Sequence, residues 1–158
     1  MTAAAAGVLT LAGGCGWPAV PTSIRPSKAT HSTGAQTCPA ASLSPDVQDG
    51  QGSAGTQRFL VVLTNRGSTT CSIVGYPVLV LRDGSGRLLA PAHPTGESTT
   101  VRLPAGRSAT AMMTVTPAAC SAVPLAATAA VSPPGSSHST SLPVRIPVCR
   151  PTISPVVG

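Results

Sequence analysis

Apolar and polar positions along this chain are grouped into short runs, the clearest being QRFLVVLTN at 57–65. A run of that length, rich in β-branched residues and bounded by Gly55 and by Asn65-Arg66-Gly67, predicts a buried β-strand. YPVLVLRDGSGRLLAP (76–91) places two apolar runs around Asp83-Gly84-Ser85-Gly86, a hairpin turn whose glycines accept positive φ. STTVRLPAGRSATAMMTVTP (98–117) adds two strands with a turn at Pro104-Ala105-Gly106, and PLAATAAVSPP, LPVRIPV and PTISPVV are later candidates. The prolines of the last two confine them to sheet edges or strand ends. Only the alanine-rich 127–130 competes as helix, and no segment carries a capped stripe of helical period. The pattern therefore predicts an all-β fold, an immunoglobulin-like antiparallel β-sandwich.

That pattern starts only after Cys38, and the chain before it is different in kind. MTAAAAGVLTLAGGCG has an apolar stretch too short to cross a bilayer but of the length of a signal-peptide core. Ala12-Gly13-Gly14 before Cys15 resemble the lipobox of bacterial lipoproteins, in which the cysteine after the cut carries diacylglycerol. Leu11 stands one place further from the cysteine than in that pattern. No Lys or Arg precedes the run, as expected if the true start lies upstream of Met1. The expected organisation is a signal peptide at 1–14, a lipidated, disordered Pro/Ser/Thr-rich tether at 15–37 and a sandwich domain at 38–158. A flexible tether of this length has a root-mean-square span of roughly 26 Å, enough to hold a domain off a membrane, and Trp17 near its start is suited to the interface.

With Cys15 assigned to a lipid, Cys38, Cys71, Cys120 and Cys149 form an even set in an exported chain, which is the signature of two disulfides. Of the three pairings, Cys38–Cys71 with Cys120–Cys149 encloses about thirty residues in each loop, worth roughly 3–4 kcal/mol apiece in the chain-entropy model. Such staples suit a core containing almost no aromatic residues: Trp17, Phe59 and Tyr76 are the only three in the chain. The cysteine spacings, with no C-x-x-C pair, exclude an ordinary zinc site.

Charged residues are only 9% of the chain, with a net charge of +6. The nine arginines are scattered and stacking aromatics are absent, which excludes a nucleic-acid interface; an anionic envelope polymer or a protein ligand is the expected partner, besides a membrane held through Cys15. The segment GQGSAG, Gly50 to Gly55, spells a dinucleotide fingerprint. It comes after what reads as a polar turn, SPDVQD, and opens a strand rather than a helix, with no acid about twenty residues on, so it predicts a loop and no nucleotide site.

Catalytic patterns are equally thin. Asp46, Asp49, Asp83 and Glu97 are the only carboxylates, all in turn-like segments; His31 lies in the tether and His93 and His138 in loops. No G-x-S-x-G elbow exists, and Cys120 lacks the His and Met that a blue-copper site needs after it. The expectation is a non-catalytic module without cofactor or metal, at the outer face of the cytoplasmic membrane or secreted. The alternative is a small exported hydrolase or redox protein working through Asp49, Asp83, His93 and Glu97.

From Cys38 onward the chain resembles an exported actinobacterial family known only as domain of unknown function 4232. The resemblance rests on Cys38, the glycine loop ending at Gly55, Leu63-Thr64-Asn65, Cys71 followed by Gly75-Tyr76-Pro77, the 83–86 hairpin, Leu103 and Gly106, and the last two cysteines. The chain departs from the family at Val78 and at Thr114-Val115. The resemblance implies a secreted or lipid-anchored β-sandwich with two disulfides and carries no activity with it.

Overall fold

The computed structural model describes residues 35–158. The expected signal peptide, the lipid attachment at Cys15 and all but the last three residues of the tether lie outside the described residues.

Eleven strands occur in the order β1 Leu43–Asp49, β2 Gln57–Asn65, β3 Cys71–Ile73, β4 Val78–Arg82, β5 Leu88–Pro91, β6 His93–Pro94, β7 Val101–Leu103, β8 Ser108–Val115, β9 Leu125–Ser132, β10 Thr140–Pro147 and β11 Thr152–Ile153. They form a five-stranded sheet in the order β1-β2-β8-β11-β6, a four-stranded sheet β10-β9-β4-β5, and a two-stranded ladder β3-β7. The fold is an all-β sandwich. All the ladders are antiparallel except β11 with β6, which run parallel.

Alternation decides which residues meet in the middle. Along β2, Phe59, Val61, Leu63 and Asn65 are buried, and along β8, Ala109, Ala111, Met113 and Val115 are. From the other sheet come Leu79 and Leu81 of β4 and Ala126, Ala129 and Val131 of β9. The alanine-rich stretch at 127–130 is therefore strand: with Val80 opposite Ala130 and β10 on its other side, ladder pairing overrides the helical propensity of alanine.

SPDVQD is not a turn but most of β1, paired antiparallel with β2 from Leu43↔Asn65 to Asp49↔Phe59. A strand with one proline and two acids is acceptable here because β1 is an edge. Ser42 O accepts from Arg66 N–H and Gly50 N–H donates to Arg58 O, so the even-numbered residues point at β2 and the odd-numbered ones at the free edge. At that edge Pro45 has no N–H, Leu43 N–H is bonded to Ala40 O, and Val47 N–H to Asp46 Oδ1. Such an edge offers few donors to an added strand, a common protection against sheet-to-sheet aggregation.

The bridges are Cys38–Cys71, with 4.8 Å between Cα atoms, and Cys120–Cys149, with 6.1 Å, the pairing favoured by loop length. Ordered pairing begins before Cys38. Ser72 N–H donates to Gln36 O, its hydroxyl to Ala35 O, and Ser72 O accepts from Cys38 N–H, so residues 35–37 lie along β3 instead of hanging free.

The two strands flanking Pro104-Ala105-Gly106 do not pair with each other: β7 joins β3, and β8 joins β2. Asn65 stands at the divergence. Its backbone N–H donates to Arg107 O and its carbonyl accepts from Gly106 N–H, while its side-chain Nδ2 donates to Leu103 O.

Candidate functional site

The glycine motif resolves into a hairpin tip. Ser53 and Thr56 exchange both backbone hydrogen bonds, and the residues between them, Ala54 at φ 50° and Gly55 at φ 80°, have the paired positive φ of a type I′ turn. A Cβ on Gly55 would stand 2.6 Å from Ala118 Cβ, and one on Gly50 2.6 Å from Arg58 O. The glycines are there for close backbone approach and a left-handed turn, and they lead into a strand, β2. Because Ala54 occupies a left-handed position at a cost of about 1–2 kcal/mol, Ala54→Gly is expected to raise stability by about 0.5–1 kcal/mol after its own entropic penalty. An unchanged or lowered urea midpoint would show that this turn is not strained.

The four residues of the alternative catalytic reading are not assembled. Among the described residues no hydrogen bond joins any two of Asp49, Asp83, His93 and Glu97, and no three His, Cys, Asp or Glu side chains cluster as metal ligands. Asp49 ends β1, an edge strand rather than the turn expected; His93 is in β6, exposed, beside β11. Asp83 is committed to its hairpin. Its carboxylate accepts the Ser85 hydroxyl at 2.6 Å, the Ser85 and Arg87 N–H groups at 2.9 and 3.0 Å, and Arg87 Nε at 3.1 Å. The Ser85 hydroxyl is the largest influence, opposed by partial desolvation and reinforced by Arg87, and together they hold the carboxyl at about 2. A carboxylate fixed as an anion in this way is poorly matched to proton transfer near neutrality.

The residues behind the family resemblance do framework work. The Asn65 side chain makes three hydrogen bonds: Nδ2 to Thr69 O and Leu103 O, and Oδ1 from Gly67 N–H. Gly75, at φ 105°, presents its carbonyl to Val156 N–H, and the Tyr76 hydroxyl donates to Gly96 O.

What the tertiary structure does bring together is a seam between the two sheets. β1 and β10 are edge strands of different sheets, not paired in any ladder, and they lie side by side in the same direction. At one end Leu43, Pro45 and Leu142 floor a depression of about 420 Å3, with Arg66 and His138 on its rim. At the other, Val47, Phe59 and Val144 line one of about 350 Å3 that shares Asp49 and Arg145 with a neighbouring hollow bearing Arg58. Leu142, Val144 and Val47 pack against the core while remaining half-buried. Among the described residues none of Arg58, Arg66 and Arg145 makes an ion pair, and the Arg87–Asp83 contact is the one salt bridge.

No sequence pattern pointed to this seam. Its two walls are far apart in the chain, and one of them reads locally as a polar turn. The alternation of Leu43, Pro45 and Val47 was the available signal for β1, and nothing local could place it beside β10.

In comparison with known proteins, residues 38–156 fit a family model described as domain of unknown function (DUF4232). No curated protein and no solved structure matches the chain.

Proposed function

The chain belongs to the DUF4232 family, and from that premise we propose that it is a non-catalytic binding module of the cell envelope, exported and anchored through a lipid on Cys15. The observation that carries the reading is how the polar side chains are used. Asn65, Asp83 and Tyr76 are spent on holding loops to strands, whereas the arginines flanking the β1–β10 seam have no carboxylate partner among the described residues. Two disulfides in a domain of this size support an oxidising compartment, and the apolar stretch ending at Ala12-Gly13-Gly14-Cys15 supports export with lipidation.

The test is phase partitioning of the full chain expressed in a bacterial host. The wild type is expected in the detergent phase and Cys15→Ala in the aqueous phase or culture medium. Equal partitioning of the two would overturn the anchor.

A further inference from the structure

We propose that the seam between β1 and β10 binds an extended acidic peptide, apolar side chains lying along its floor and carboxylates reaching the arginines at its two ends. This rests on the reading of the protein as a binding module and names the ligand and its site.

The shape of the seam sets the ligand's form. β1 has seven residues, Leu43 to Asp49, and at about 3.3 Å per residue spans roughly 20 Å between its first and last Cα. A hollow lies at each end of that length and half-buried Val47, Leu142 and Val144 lie along it, so the occupant is a single extended segment of about seven residues. The charge sets its chemistry. The Arg66 end has no carboxylate in its lining, with His138 opposite; the far end carries Arg58 and Arg145 against Asp49 alone. Asp46, the other acid of β1, is occupied by Val47 N–H and by Gln48 Nε2.

The walls exclude other modes. A peptide cannot add to β1 as a regular antiparallel strand, because three of the four edge-facing positions have no free N–H: Leu43 and Val47 are already bonded and Pro45 has none. The carbonyls at that edge can still accept from peptide N–H groups, so affinity has to come from the floor and from arginine–carboxylate contacts. A carboxylated glycan would bring the same charge, but sugar rings favour exposed aromatic faces. Among the described residues Phe59 is 5% exposed and the hydroxyl of Tyr76 is engaged with Gly96.

Fluorescence anisotropy with an acetylated, labelled peptide Glu-Val-Thr-Val-Thr-Val-Glu tests the proposal on the disulfide-intact domain. Saturable binding is expected, weakening as NaCl rises from about 50 mM to about 500 mM. Replacing both glutamates by glutamine, or moving both to one end, is expected to weaken it about tenfold or more. Arg66→Gln and Arg145→Gln are each expected to cost about three- to tenfold, while Arg102→Gln, on β7 away from the seam, leaves it unchanged; all three are checked for wild-type thermal unfolding. Absence of binding at about 1 mM peptide, equal affinity for the glutamine peptide, equal loss from Arg102→Gln, or tighter binding of an oligogalacturonate of similar length would each overturn the proposal. Since the anchor is read by phase partitioning, a failure here leaves that result standing and is distinguishable from it.

Discussion

Asn65→Ala is expected to lower the unfolding free energy by about 3–5 kcal/mol, a large part of the 5–15 kcal/mol typical of a domain. Asn65 is 1% exposed and is the sole buried polar or charged side chain among the described residues. Its three side-chain bonds secure the 66–69 turn to the end of β2 and hold Leu103 of β7 beside it. Alanine would remove all three bonds at a site closed to water, leaving the Leu103 carbonyl only its β3–β7 ladder partner. Asn65→Asp separates hydrogen bonding from size. It keeps the acceptor for Gly67 N–H but turns a negative charge toward the carbonyls of Thr69 and Leu103, so its folded-state pKa is expected to be raised. A group with a raised folded pKa destabilises once pH exceeds its unfolded value, so this variant should become relatively more stable as pH falls. Urea unfolding of both variants at neutral and mildly acid pH gives the measurement. A loss below about 1 kcal/mol for alanine, or no acid rescue for aspartate, would mean these bonds do not hold the fold.

Replacing both cysteines of either bridge by alanine is expected to cost about 2–5 kcal/mol, and removing both bridges is expected to leave the domain largely unfolded at 37 °C. The sequence separations are 33 and 29 residues, so the chain-entropy contribution is about 3–4 kcal/mol for each. The local consequences differ. Without Cys38–Cys71, residues 35–38 are held to β3 only by the backbone and hydroxyl bonds of Ser72, so amide exchange should accelerate there first. Without Cys120–Cys149, the return of the chain from β10 to β11 loses its tie to the segment after β8, leaving Thr116 N–H to Cys149 O and Val148 N–H to Pro124 O. Urea midpoints together with residue-resolved exchange test both statements. A pair of variants with wild-type midpoints would show that the hydrophobic core alone carries the fold.

Much of the sandwich was legible because burial writes itself locally. The inward residues of β2 and β8 occur at every second position, and that pattern needs no knowledge of partners. The hairpin at 83–86 and the loop at 50–55 were legible through turn chemistry, and the bridges through loop length. Asn65 was within reach as well, since it continues the inward parity of Phe59, Val61 and Leu63 and is therefore a polar residue aimed at the core. Proline and acid in SPDVQD hid β1, because composition alone cannot distinguish a turn from a protected edge. β3 and β6 have three and two residues, too few to display any period.

The all-β class, the long central strands, the loop nature of the glycine motif and the cysteine framework are thus written in the chain. Each is a property of consecutive residues or of contour length. Tertiary structure alone decided which edges lie side by side, that β7 leaves β8 to pair with β3, and that Arg66 and His138 share one end of a seam with Arg58 and Arg145 at the other. These relations join segments distant along the chain, and their energy comes from packing two sheets face to face. No local run of residues records that interaction, because each strand carries only its own half of it.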